Sequence, residues 1–161
     1  MPIKIFWLHR FENASELGIM ARPRGNEWLE EDILNLKKQG VQILVSLLDR
    51  NEIYELGLEK EPELCLQSGI EYVNFAIADR DIPKSDNRFR HFVGQLKEKI
   101  AVGSKMVIHC RMGIGRSTII AGCLLIKSGY ETDDIIAHIS KIRGLQVPDT
   151  DEQIAWLKRQ E

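Results

Sequence analysis

The stretch from residue 106 to residue 127 constrains the fold more than any other part of the chain. Residues 106–108 are apolar and read as the end of a buried strand, whereas residues 117–127 (STIIAGCLLIK) read as an apolar, buried helix. Only Cys110 to Arg116 remains to turn the backbone from one element into the other. Gly113 and Gly115 let it bend tightly there and bring its N–H groups inward with no Cβ in the way.

The rest of the chain repeats the alternation of strand and helix. Residues 3–8 (IKIFWL) predict a first strand, and residues 11–25 a polar, irregular connection. Asn26 is placed to cap a helix that carries Glu27, Glu30 and Glu31 in its first turn, buries Leu29, Ile33, Leu34 and Leu36, and stops at Gly40. A buried strand at 41–48, short helical pieces at 52–58 and 63–68, and a strand at 70–77 follow. Then come an amphipathic helix at 87–100, the strand at 106–108, and helices at 117–127, 133–142 and 150–160. The pattern predicts an α/β fold: a central, mostly parallel twisted sheet of four to five strands with helices on both faces. The chain of 161 residues fits one domain, spanning 1–161. Ligands in such sheets bind beyond the carboxyl ends of the strands. Asp79 and Cys110 each follow a strand directly, so they are expected at the same edge.

The turn at Cys110 carries chemistry of its own. Its amides sit at a helix N-terminus, where orphan donors and the positive end of the helix dipole attract an anion. A ring of such amides suits the three equatorial oxygens of a phosphoryl group. Helix N-termini and cationic neighbours favour the thiolate, so Cys110 is expected to be ionised at neutral pH. Arg116 can grip two phosphate oxygens as a planar fork. Ser117 can donate a hydroxyl hydrogen bond to the sulfur and make it a better leaving group. His109 reads as structural, bonding loop carbonyls through its ring, and Arg111 as a cradle residue whose side chain points outward.

The run His109-Cys110-Arg111-Met112-Gly113-Ile114-Gly115-Arg116-Ser117 matches the pattern His-Cys-(five residues)-Arg-Ser/Thr, and here the chain resembles the cysteine-dependent protein phosphatases. The resemblance implies a phosphocysteine intermediate on Cys110, no metal and no cofactor. Arg116 would bind substrate and transition state, and the backbone of Arg111, Met112, Gly113, Ile114 and Gly115 would cradle the phosphate. It also implies a carboxylic acid on an upstream loop, proton donor to the leaving group and later base for water. Asp79, in Ile77-Ala78-Asp79 with Pro83 four residues on, resembles the acid loop of kinase-associated phosphatases and other atypical dual-specificity enzymes. Asp81 is the runner-up for that role. No long phosphotyrosine-recognition loop is evident, so the expected substrate is a phosphorylated protein, with phosphotyrosine and also phosphoserine and phosphothreonine accepted. The alternatives are a phosphoinositide or RNA 5′-phosphate phosphatase of the same superfamily, or a non-catalytic phosphoprotein-binding module. Met112 and Ile114 stand where phosphoinositide enzymes usually carry basic residues. Arg22 and Arg24 are further candidates for contacting substrate, and Gln153 for positioning water. Some family members cap an oxidised nucleophile as a disulfide, a role open here to Cys65 or Cys123.

The bulk composition agrees. A formal charge of -2 with no basic run gives no sign of nucleic-acid affinity. No apolar stretch approaches the ~20 residues of a membrane span. Three cysteines without regular spacing fit a reducing cytoplasm, and four scattered histidines offer no metal-ligand pattern. A cytoplasmic monomer is expected.

Overall fold

In the computed structural model, which describes residues 2–161, five strands form one mixed sheet. In chain order they are β1 (Phe6–Arg10), β2 (Glu16–Met20), β3 (Ile43–Ser46), β4 (Glu71–Asn74) and β5 (Lys105–His109), lying side by side as β1-β2-β5-β3-β4. The pairs β2/β5, β5/β3 and β3/β4 are parallel; β1 runs antiparallel to β2. The sheet is thus the mostly parallel one expected. Seven helices cover it: α1 (Leu29–Lys38), α2 (Arg50–Glu55), α3 (Glu61–Gln67), α4 (Asn87–Ala101), α5 (Arg116–Ile126), α6 (Thr132–Arg143) and α7 (Asp151–Lys158).

Side chains on a strand alternate between faces, and that alternation builds two cores. Met106 and Ile108 of β5, with Ile43 and Val45 of β3, pack under α4 to α7 against Phe92, Leu96, Ile120 and Leu157. Val107 and Leu44 face the other way, under α1 and α3, against Leu29, Ile33, Leu36 and Cys65. Every residue of α5 from Arg116 to Leu125 is buried. A helix apolar all round belongs in the interior. Truncating one of its leucines or isoleucines to Ala would cost about 2–5 kcal/mol.

The helix ends follow local chemistry. Asp86 caps α4 by accepting a hydrogen bond from Phe89 N at 3.0 Å. Asp49 and Glu52 form a reciprocal capping box on α2, and Thr150 and Gln153 form one on α7. Gly144, at φ 74°, ends α6 in a left-handed turn.

Four details depart from the sequence reading. Residues 16–20 form β2, inserted between β1 and β5, within the stretch read as irregular. Gly18 makes that strand look broken, yet a methyl there would lie 3.0 Å from both Ile5 Cγ2 and Trp7 Cε3, so the glycine permits close packing of β1. β1 itself lies at 6–10, displaced from the predicted 3–8 by its pairing with β2. Asn26 is not a helix cap: it sits at φ 54° in a 3-10 turn (Asn26–Trp28) that precedes α1, and its N–H donates to Gly57 O at 2.9 Å. Leu34 is 48% exposed, because the apolar stripe of α1 facing the sheet is made by Leu29, Ile33 and Leu36.

Candidate active site

Cys110 follows the last residue of β5, and the loop 110–115 delivers the chain into α5. Gly115 stands at the N-cap of α5 and supplies no side-chain cap, so the first-turn amides are left for an anion. Gly113 has φ 69°, and a Cβ there would lie 2.6 Å from the backbone carbon of Met20. A side chain is therefore excluded at this corner by both conformation and space. On the opposite flank, a Cβ on Gly115 would lie 2.4 Å from Asp149 Oδ2. The loop is wedged between the end of β2 and the segment before α7.

Cys110 is buried, with its Sγ 3.3 Å from Ser117 Oγ. The His109 ring is also buried; its Nδ1 lies 3.1 Å from the Cys110 carbonyl oxygen and its Nε2 2.7 Å from Glu61 Oε2. The Arg111 side chain points outward, toward Glu52 and Glu55 of α2 at 3.9 and 3.7 Å. Met112 is exposed at the rim, whereas Ile114 packs against the core.

Arg116 is the most heavily bonded group here. Its Nη1 and Nη2 donate to Glu52 Oε1 and Oε2 at 2.7 and 2.9 Å, a bidentate pair. Nη1 also donates to Ile77 O at 2.8 Å, and Nη2 to Asp79 Oδ1 at 3.0 Å. Burial alone would depress the Arg116 pKa, but the Glu52 hydrogen bond and the charges of Cys110, Glu52 and Asp79 raise it. Burial likewise works against the Glu52 carboxylate, and the bonds from Arg116 and the Asp49 amide outweigh it, leaving Glu52 below the usual carboxylate range. This pair fixes the plane of the guanidinium.

The two candidate acids are placed differently. Asp79 is 54% exposed at its side chain and bonded to Arg116. Asp81 turns away into its own turn, where Oδ1 accepts from Ile82 N at 2.8 Å. Gln153 is fully buried: its Nε2 donates to Asp81 O at 3.1 Å, while its Oε1 accepts from Asp149 N and Thr150 N. It therefore ties the acid loop to the start of α7.

Four residues at the site carry roles the sequence did not announce. Glu52 aims Arg116; its only signal was the spacing Asp49-x-x-Glu52, which reads as a capping box. Glu61 holds the His109 ring. Arg143, at the end of α6, donates to Gly113 O at 2.9 Å and Met112 O at 3.2 Å while its guanidinium stacks 4.1 Å over Phe6. It thus caps two carbonyls turned outward from the cradle. Asp149 borders Gly115. None of the last three has a signature in local sequence, since each acts on a loop distant along the chain.

Of the other candidates, Arg24 is occupied by Asp32, at 2.7 Å, and lies over the Trp28 ring, so its work is structural. Arg22 contacts the cradle through its backbone, N–H donating to Arg111 O at 3.1 Å. Cys65, Cys110 and Cys123 are all free and buried. Cys65 belongs to the core under α1 and α3 and Cys123 to the opposite one, and burial together with the Glu61 charge pushes the Cys65 thiol up to about 12. Among the described residues no helix is long and apolar enough to cross a membrane.

Comparison with known proteins points the same way as the geometry. Residues 18–130 match a family described as a polymorphic toxin system DSP-PTPase phosphatase. Cyclin-dependent kinase inhibitor 3 of Rattus norvegicus is 28% identical over 170 aligned positions, covering 97% of this chain and 77% of the relative. The Homo sapiens protein of that name is 29% identical with the same coverage. The crystal structure of kinase associated phosphatase, with its catalytic-site cysteine replaced by serine, superposes with a TM-score of 0.88 at 25% identity, covering 98% of this chain and 93% of that one. PTPMT1, also solved in complex with PI(5)P, shares the fold at a TM-score of 0.71 and 18% identity.

Proposed function

The chain belongs to the DSP-PTPase phosphatases, cysteine-based enzymes of the dual-specificity type, and we propose that it hydrolyses phosphate monoesters on proteins through a phosphocysteine on Cys110. Phosphotyrosine is a substrate, together with phosphoserine and phosphothreonine. One observation carries the reading: the guanidinium of Arg116, aimed by Glu52, is shared with the Asp79 carboxylate above a loop whose sulfur lies 3.3 Å from a hydroxyl. These contacts support reading Arg116 as phosphate binder, Asp79 as acid and Cys110 as nucleophile of one site.

The steps follow from that arrangement. An incoming phosphate takes the place of Asp79 on Arg116 Nη2, and the freed carboxylate takes up a proton from solvent and turns to the ester oxygen. The Cys110 thiolate attacks phosphorus and the P–O bond breaks, with Asp79 giving its proton to the departing oxygen. Arg116 and the amides of the loop and α5 hold the equatorial oxygens while charge is redistributed. Water then attacks the phosphocysteine; its proton goes to Asp79, and the S–P bond electrons return to sulfur, which accepts a hydrogen bond from Ser117. The reaction needs no metal or cofactor, and the enzyme works as a cytoplasmic monomer. Relatives named for an association with kinases support a phosphorylated protein as substrate. The apolar Met112 and Ile114 in the cradle weigh against a polyanionic lipid headgroup.

The test is hydrolysis of p-nitrophenyl phosphate with chelator present, for wild type and Cys110→Ser, followed by phosphotyrosine, phosphoserine and phosphothreonine peptides and phosphatidylinositol phosphates at equal concentration. Chelator-resistant turnover lost in the variant, with peptides preferred, is the expected result. Faster turnover of the lipid would replace the substrate assignment, and no turnover by reduced, folded wild type would sink the catalytic reading.

A further inference from the structure

The reaction leaves the buried carboxylate of Glu61 unused. Glu61, the first residue of α3, and His109, the last of β5, are both 0% exposed, and Glu61 Oε2 lies 2.7 Å from His109 Nε2. The other ring nitrogen, Nδ1, lies 3.1 Å from the carbonyl oxygen of Cys110. Both ring nitrogens therefore face acceptors. A carbonyl oxygen has no proton to give, so Nδ1 must carry one. The contact between Nε2 and the carboxylate needs another. A neutral imidazole beside an ionised carboxylate is one proton short. Glu61 Oε1 has no hydrogen-bond partner among the described residues, so His109 is what compensates this buried charge.

We propose that Glu61 and His109 form a buried carboxylate–imidazolium pair that fixes the Cys110 carbonyl and sets a positive charge beneath the Cys110 sulfur, making Glu61 a positioning residue for the nucleophile. The ring is anchored through Nδ1 to the carbonyl of the nucleophile's own residue, whereas Glu61 is bonded to the opposite nitrogen, Nε2. Glu61 thereby acts on Cys110 without touching substrate.

The surroundings agree. Burial opposes the charged ring, but the charge and hydrogen bond of Glu61 and the Cys110 carbonyl overcome it, so His109 is raised above its ordinary value despite the opposing charge of Arg116. The other groups facing the pair are Cys65 of α3 and Tyr72 of β4. Burial first, and the Glu61 charge second, push both upward, so both stay neutral.

The proposal rests on Cys110 as nucleophile, but its tests use no phosphate ester, so a failure of phosphatase turnover leaves them readable. The first is nitrogen-15 NMR of histidine-labelled wild type from pH 5.5 to 9. Both His109 ring nitrogens are expected to be protonated at pH 7; a ring with a bare Nδ1, or one that is neutral at pH 7 with a bare Nε2, overturns the pair. The second is the pH dependence of Cys110 alkylation by iodoacetamide in wild type and Glu61→Gln. The midpoint is expected to rise by about one pH unit, or alkylation to slow about tenfold on the acid side. A superimposable profile overturns the positioning role. The ring measurement needs no variant, so it decides the question even where Glu61→Gln fails to fold.

Discussion

Arg116 Nη2 donates to Asp79 Oδ1 at 3.0 Å, so the cation that would bind phosphate and the carboxyl that would protonate the leaving group hold each other in the unliganded site. Asp81, two residues on, is bonded into its own turn and offers only its carbonyl, to Gln153. Asp79→Asn is therefore expected to lower kcat by about 10²–10⁴-fold, the usual worth of a positioned acid. Asp81→Asn should change it only a few-fold. Steady-state kinetics with substrates of differing leaving-group basicity check this, and the reverse order would move the acid to Asp81.

Ser117 makes a prediction about the second step alone. Its hydroxyl lies 3.3 Å from Cys110 Sγ, where on the proposed mechanism it would stabilise sulfur as it leaves phosphorus. Losing a hydrogen bond to a charged group costs about 1.5–3 kcal/mol, roughly ten- to a hundredfold in rate. In Ser117→Ala, rapid quench should show a burst of product followed by slow turnover as phosphoenzyme accumulates. A slowed burst with no accumulation would place Ser117 in the first step.

Glu52 links site and stability. It is paired with Arg116, whose side chain is 1% exposed, and removing one partner of a buried pair costs about 3–5 kcal/mol. Glu52→Gln is expected to lose stability of that order and to bind vanadate more weakly, because the charged bidentate grip on the guanidinium is then lost. The pH dependence has a definite sign. Glu52 is held below its ordinary value of 4.5, so the folded state binds its proton less readily than the unfolded state does. Its contribution is present above pH 4.5 and fades as pH falls below that. Urea unfolding from pH 7 down to 3.5 should show the gap between wild type and Glu52→Gln closing at the acid end.

Gly113 and Gly129 separate strain from collision. Both have positive φ, 69° and 101°, but a Cβ on Gly129 meets nothing within 4 Å, whereas one on Gly113 meets the Met20 backbone at 2.6 Å. Gly129→Ala should cost about 1–3 kcal/mol, the strain alone, with activity kept. Gly113→Ala should cost more and abolish phosphate binding, since β2 or the cradle must move. Thermal denaturation and isothermal titration with phosphate compare them.

Much of the site was legible in the sequence because its central chemistry is local. Cys110, Arg116 and Ser117 lie within one strand–turn–helix, and backbone geometry alone sets their order around an anion. Asp79 became a candidate through the resemblance of Ile77-Ala78-Asp79 to an acid loop, and the structure sets it against Arg116. What escaped was whatever acts from another element: Glu52 on Arg116, Glu61 on His109, and Arg143 on Met112 and Gly113; Gln153 was a candidate for positioning water, and its bond to the acid loop was not foreseen. The aspartate at 81, the runner-up for the acid, and the arginine at 24 remained candidates until their hydrogen bonds were visible.

The sequence by itself determined the layers and the cradle. Apolar periodicity dictates which faces are buried, and the two glycines with a helix start dictate an anion-binding turn. It did not determine β2, whose five residues around Gly18 have no strand signal of their own and exist as a strand because β5 and β1 supply hydrogen bonds on both sides. Nor did it determine which carboxylates serve which cations. Charge pairing depends on distances of a few ångströms between segments dozens of residues apart, and only the packed sheet brings α2, α3 and α6 to the end of β5 where Arg116, His109 and the cradle carbonyls lie.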